Sequence, residues 1–231
     1  MFLEPHPDVV TPQPGGHDDP LGESVLDAAG ASLRVFTPRE VRIVLGRSQD
    51  PAREIDLAAA RADGIPIHRR VAGGGCVVLA PGMVVVAVRL APGAKDPNAY
   101  FAQVNAALVP AIAAVAGLAP SCRGHGDLTL PGEDGHPRKI LGTSLRQTAQ
   151  RVIYLGVLLV EDAVPLMERY LTFPSKQPDY RLGRGHRAFC THLGRHGVTV
   201  PALIAALTPA LAAIADTPPG GATCPTPSGI A

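Results

Sequence analysis

A chain of 231 residues, 46% hydrophobic and 18% charged, is long enough for one substantial core or one core with a small appendage. Its net charge of +1 gives no electrostatic ground for nucleic acid or an anionic membrane as the main partner, and with 4% aromatic residues and no Trp a base-stacking platform is not expected. Four scattered cysteines (Cys76, Cys122, Cys190 and Cys224) form no C-x-x-C pair, which argues against a zinc ribbon or a thioredoxin-like motif and points to a reducing setting.

The N-terminus lacks the basic start and apolar run of a signal peptide, and the apolar stretch at 106–120, broken by Pro110, is too short for a membrane span, so a cytoplasmic location is expected. Residues 1–30, rich in Pro, Gly and Asp, read as loosely ordered, with a short helix near 23–29. Strands are expected at 33–36 and 41–45, around the turn Thr37-Pro38-Arg39-Glu40. Asp50-Pro51 offers a cap and a first-turn proline for a helix to about residue 62, stopped by Gly64.

A strand at 65–70 feeds three glycines, and two apolar strands follow at 76–79 and 83–90, their continuous apolar character predicting burial on both faces. Pro97 opens a long helix closed by Gly117, with Pro110 predicting a kink or an interruption. Strands at 127–130 and 140–145 flank a long tip, and another strand covers 152–160. Helices are expected from Asp162 to about residue 170 and at 200–215, then a flexible Pro/Gly/Thr-rich tail at 217–231. Hairpins with helices between them predict an α+β fold, with one domain over 31–216.

The chemistry concentrates in two segments. Residues 69–77 read Arg-Arg-Val-Ala-Gly-Gly-Gly-Cys-Val, and Gly73, Gly74 and Gly75 give a main chain without Cβ atoms that can curl round a ligand and aim N–H groups at anionic oxygens. Lys139 stands in Arg-Lys-Ile-Leu-Gly-Thr-Ser; only Lys95, Lys139 and Lys176 are lysines among 21 basic residues, so a compact ammonium there is conspicuous.

These segments resemble the lipoate–protein ligase, octanoyltransferase and biotin–protein ligase superfamily, most closely its lipoate ligase branch, over residues 33–195. Arg69 to Val77 match its Arg-Arg-x-x-Gly-Gly-Gly-x-Val element, and Ile43-Val-Leu-Gly-Arg-Ser-Gln-Asp-Pro51 the strand and turn before its first core helix. Asp127-Leu128 match its Asp-Leu strand, Lys139-Ile-Leu-Gly142-Thr143-Ser144 its Lys-x-x-Gly element, and Gly156-Val-Leu-Leu159 its Gly-x-Leu-Leu strand. The resemblance implies a mixed, mainly antiparallel sheet with flanking helices. It also implies a ligase that couples lipoate or octanoate to ATP as an acyl-adenylate and delivers the acyl group to a lysine of a lipoyl carrier domain or H-protein-like acceptor.

By the same resemblance Lys139 neutralises charge as the carboxylate meets the α-phosphate. Arg70, Gly73, Gly74, Gly75, Cys76, Val77, Gly142, Thr143 and Ser144 bind substrate or nucleotide. Asp127 helps hold the nucleotide and Mg²⁺, and Val71, Val77 and Leu141 line the acyl tunnel. The basic run 181–187 resembles a mobile segment over the adenylate, or is a solvated loop.

Departures leave alternatives open. Where many ligases have His-Asp and Asn after the glycines, this chain has Leu79-Ala80 and Met83; where the family has paired His, it has Tyr154-Leu155. The resemblance makes residues 31–216 the lipoate ligase-like catalytic domain with no accessory C-terminal domain, so the accessory domain that many lipoate ligases carry is expected either to be absent from this system or to come as a separate accessory subunit. Cys122, five residues before Asp127, resembles the thioester-forming cysteine of ATP-independent octanoyl and lipoyl transferases, or is a loop cysteine without a role. Cys76 reads as a small core residue or a contact to the acyl head, and Cys190 as structural. A non-catalytic subunit that binds the acyl group or the carrier is the third reading.

Overall fold

Two strands with apolar residues on both faces organise the chain. In the computed structural model, which describes residues 6–10, 19–27 and 30–221, the strands are β1 (Val9–Val10), β2 (Leu33–Phe36), β3 (Arg42–Leu45), β4 (Ile67–Arg69), β5 (Val77–Leu79), β6 (Met83–Leu90), β7 (Ser121–Arg123), β8 (Asp127–Pro131), β9 (Pro137–Gln147) and β10 (Val152–Leu159). The helices are α1 (Pro51–Glu54), α2 (Leu57–Ala62), α3 (Pro97–Ala116), α4 (Val164–Tyr170), α5 (His186–Phe189) and α6 (Val200–Ala212). Six strands form an antiparallel sheet in the order β2-β6-β10-β9-β8-β7, and four form a smaller mixed sheet in the order β1-β4-β3-β5. The fold is α+β.

Strand alternation sorts β6 and β10 into two cores. Val84, Val86, Val88, Tyr154 and Leu158 pack with α3 and α6, while Met83, Val85, Leu155, Val157 and Leu159 face the small sheet and α4. The expected burial on both faces follows from this three-layer arrangement, and each fully buried aliphatic side chain contributes about 1.5–3 kcal/mol. A third cluster, with Ile43, Leu45 and Ile67, fills the space between the small sheet and α1, α2 and α4.

Helix α3 begins where the Asp96 side chain accepts from the Asn98 N–H and ends at Gly117, at φ 72°. It runs through Pro110 without the expected interruption; Pro110 is on the exposed side, and Val104, Leu108 and Ile112, fully buried, hold the flanking turns. The helix is long and apolar enough to cross a membrane by length and composition, contrary to the reading of 106–120, but here its apolar face is core.

The helix expected at 50–62 is instead split. Ile55 is extended and bridges to Leu171, the Asp56 N–H donates to the Tyr170 carbonyl, and the Asp56 side chain caps α2 through the Ala59 N–H.

The expected loose segment 1–30 is packed over 19–27. Leu21 and Val25 are buried, Arg34 donates to Asp19 at 2.7 Å, and Arg89 donates to the Asp27 carbonyl at 2.7 Å. The helix expected near 23–29 is a 3₁₀ turn at Glu23–Leu26. Thr217, assigned to the tail, accepts from Ala91 N–H and from Gln103; residues 222–231 lie outside the described residues. The hairpin tip at 131–137 is shorter than expected because β8 and β9 pair out to Pro131 and Pro137. Strands β1 and β7 and helix α5 had no sequence expectation.

Candidate active site

The three glycines sit in the connection from β4 to β5, and the two arginines before them fix its shape. Buried Arg70 turns back under the loop, donating to the Gly73 carbonyl at 2.8 Å and the Gly75 carbonyl at 2.7 Å. Arg69 donates to the carbonyls of Gly46, Arg47 and Gln49, tying the loop to the turn after β3. Burial lowers Arg70 to about 10, so it stays a cation at neutral pH.

Gly74, at φ 94°, leaves room for the Arg70 guanidinium, 2.9 Å from where a Cβ would stand. Gly46 matters as much: a Cβ there would lie 2.0 Å from the Gly74 carbonyl oxygen. Around Gly73 and Gly75 a Cβ would meet nothing within 4 Å, so their bare main chain opens onto free space. From below, the Glu23 carboxylate accepts the Val71 N–H at 2.9 Å; burial raises its pKa, with the Val71 hydrogen bond opposing the shift.

Lys139 lies on β9, at an irregularity in the pairing with β8 where Leu128 opposes Leu141 and Thr129 opposes Lys139, so Ile140 is extra. Its Nζ is 2.9 Å from Asp127 Oδ1, and the Tyr180 hydroxyl donates to Asp127 Oδ2 at 2.8 Å. Burial, and then the Asp127 charge, raises the Tyr180 pKa, so the phenol remains a donor. Gly142 leaves the lysine its place: a Cβ there would be 3.2 Å from Nζ. The Lys139 carbonyl accepts from the Thr191 N–H, and buried Cys190 bridges to Lys139.

Two cavities meet here. The first, about 250 Å³, has apolar walls from Leu155, Val157, Leu159, Met167 and Phe189, with Lys139, Gly142, Gly75 and Arg70 also at its boundary. Lys139 and the glycine loop thus border one space. The second, about 820 Å³ and more open, is bordered by Gly73, Gly74, Gly75, Asp127, Tyr180 and Phe101, with Arg123 and His125 at its edge. Thr143 and Ser144 border both cavities, and Cys76 and Val77 border the first. Burial pushes the Cys76 thiol up to about 12 and also raises Cys190, which makes both poor nucleophiles at neutral pH. His186, also on the first cavity, is lowered by burial and then by Arg181, which favours the neutral ring.

Some expected residues are not brought together. Val71 and Leu141 are absent from the first, apolar-walled cavity; Val71 is held by Glu23, and Leu141 faces α3 in the other core. Asp127 does not suit a protein-held metal ion, because both its oxygens are engaged by Lys139 and Tyr180, and no cluster of three metal-ligand side chains forms among the described residues.

Cys122 pairs with Leu128 across β7 and β8, so its side chain shares the helix-facing side, where Asn105 Nδ2 is 3.7 Å from the sulfur. It borders neither cavity, and among the described residues the free thiols are Cys76 and Cys190. Sequence reading missed Gly46, Glu23 and Tyr180 as parts of the site. Gly46, in the quoted Ile-Val-Leu-Gly-Arg-Ser segment, had a local signal; the other two had none.

The family model of the lipoyl protein ligase A/B catalytic domain matches residues 20–212. The lipoate-protein ligase A of Bdellovibrio bacteriovorus is 27% identical over 170 residues, 74% of this chain and 46% of that protein, so the chain spans about half the length of this curated relative. Among solved structures, the bipartite lipoate protein ligase of Thermoplasma acidophilum, studied with its E2 lipoyl domain, superposes with a TM-score of 0.68 at 21% identity, covering 80% of this chain and 73% of that one. A lipoate-protein ligase A bound with ATP gives a TM-score of 0.64 at 19% identity, over 80% and 75% of the two chains. At those identities the structural likeness establishes the fold.

Proposed function

The chain belongs to the lipoyl protein ligase A/B catalytic-domain family, and from that premise we propose that it is an ATP-dependent ligase for lipoate or octanoate. It forms the acyl-adenylate and passes the acyl group to a lysine of a lipoyl carrier domain. The observation that carries this reading is the join between the two cavities: an apolar one bounded by Lys139, and a glycine-lined one with basic residues at its edge. The first suits a medium-length acyl chain with its carboxylate at Lys139. The second has the volume, the bare N–H groups of residues 73–75 and the rings of Phe101 and Tyr180 that a nucleotide would use.

A carboxylate attacking an α-phosphate brings two anions together. The Lys139 ammonium, held by Asp127, is fixed before reaction, and a preorganised charge of this kind is worth roughly 3–4 kcal/mol. The carrier's amine then attacks the activated carbonyl and AMP leaves. That related folds include a ligase bound with ATP and a bipartite ligase studied with its E2 lipoyl domain supports three further parts of the reading: ATP as co-substrate, a lipoyl domain as acceptor, and a separate accessory polypeptide as partner. The Cys122 transferase mechanism is less well supported, since that sulfur borders neither cavity.

The test offers a purified lipoyl domain to the protein with lipoate and Mg-ATP, or with an octanoyl-carrier protein and no ATP, and reads the acceptor's intact mass. A lipoyl adduct that requires ATP supports the ligase. An adduct only from the octanoyl donor replaces it with the transferase, and no adduct from either leaves a binding subunit.

A further inference from the structure

Five residues border both cavities: Gly75, Thr143, Ser144, Lys176 and Pro178. Lys176 is the single charged side chain among them, so a cation stands where the acyl and nucleotide spaces meet. It is also one of three lysines among 21 basic residues, and a second of the three, Lys139, borders the same first cavity.

The two ammonium groups differ in their surroundings. Lys139 is matched by Asp127 at 2.9 Å, which makes that pair neutral overall. Among the described residues no carboxylate pairs with Lys176. Lys176 is exposed, and the chain just before it is anchored. The preceding Ser175 donates through its hydroxyl to Glu54 Oε1 and through its N–H to Glu54 Oε2 at 3.5 Å, and Pro174 and Pro178 restrict the chain on either side. Glu54 itself is buried.

We propose that Lys176 is a second ligand-binding cation of the adenylation step, one that contacts the α-phosphoryl oxygens and the departing pyrophosphate. This deepens the ligase reading and rests on it. In that step a carboxylate oxygen forms a bond to the α-phosphorus. The bond from that phosphorus to the bridging oxygen breaks, its electron pair leaves with pyrophosphate, and no proton moves. Negative charge therefore grows on the leaving group, beyond the carboxylate and α-phosphate that Lys139 serves, and Lys176, a cation without a carboxylate partner at the junction of the two cavities, adds to the positive charge that meets it. In the second step, attack of the carrier amine on the acyl carbonyl, the pyrophosphate is gone and Lys176 has less to do.

The experiment separates the two steps. Lipoate- or octanoate-dependent exchange of labelled pyrophosphate into ATP reads adenylation, and acylation of a lipoyl domain from chemically made lipoyl-adenylate reads transfer. Lys176→Ala is expected to lower exchange by about 100-fold or more while transfer changes by only a few-fold, with Lys176→Arg recovering part of the exchange. Exchange at the wild-type rate in Lys176→Ala, or equal loss in both half-reactions, overturns the assignment. Wild-type protein that catalyses neither half-reaction overturns the ligase reading itself, and this inference with it.

Discussion

Replacing Gly46 by Ala gives the most direct test of how the site is built. The new methyl would stand 2.0 Å from the Gly74 carbonyl oxygen, where ordinary contacts begin at 3.4 Å, so the glycine loop must retreat by about 1.4 Å. The Arg70 hydrogen bonds to the Gly73 and Gly75 carbonyls, at 2.8 and 2.7 Å, do not survive such a shift unchanged. Bonds to a charged donor are worth about 1.5–3 kcal/mol each, and partial relaxation leaves a net loss of about 2 kcal/mol. For a chain of this size that lowers Tm by roughly 4–8 °C. Displacing the loop by more than 1 Å should also cut pyrophosphate exchange by about 100-fold.

Gly73→Ala is the control that separates building the loop from binding the ligand. A Cβ there meets nothing within 4 Å, so stability should stay within about 0.5 kcal/mol of wild type. Exchange should nevertheless fall, because the methyl enters the second cavity, which we propose holds the nucleotide. Thermal melts and exchange rates on both variants decide the matter. A Gly46→Ala protein that melts and reacts like wild type would show that the loop does not depend on that close approach. A fully active Gly73→Ala protein would show that the glycines are not a ligand cradle.

Lys139→Ala should reduce adenylation by about 100- to 1000-fold, and Asp127→Asn, which keeps the ammonium but loosens its position, by less; equal exchange rates in the two variants would deny Asp127 a purely positioning role. A Cys76 thiol at about 12 rather than 9.0 carries about a thousandth of the thiolate, so iodoacetamide at pH 8 should label this half-buried residue far more slowly than a model thiol, and rapid labelling would contradict the raised pKa. Asp63 accepts from Arg169 and from the Tyr170 hydroxyl, and the Arg169 hydrogen bond first, then Tyr170, lowers its pKa from 3.8 to about 2. A depressed carboxylate stabilises the fold above its unfolded pKa and loses that contribution as pH falls through the folded one. The Tm gap between wild type and Asp63→Asn should therefore be present at pH 6 and shrink from about pH 4 towards 2; a gap that widens on acidification would reverse the assignment.

What the sequence revealed was local. Asp96-Pro97 and Gly117 mark the ends of α3 because a capping carboxylate, a first-turn proline and a left-handed glycine act within one turn of chain. The bounds of β2 and β6 follow from short apolar runs between turn residues, and residues 69–77 and 139–144 announce the loop and the lysine through residue type alone. What it concealed depends on approach across the fold. Glu23 meets Val71 over 48 residues and Tyr180 meets Asp127 over 53, and no local pattern encodes either meeting.

Cys122 shows the other side of the same limit. Its distance in sequence from Asp127 suggested a nucleophile, but spacing along a chain says nothing about facing until the strand is known. Cys122 falls on β7, paired with Leu128, while Asp127 one residue earlier in β8 points to the opposite side, towards Lys139. Alternation along the strand thus separates the Cys122 sulfur from Lys139, while the same alternation gathers Leu155, Val157 and Leu159 along one wall of the first cavity.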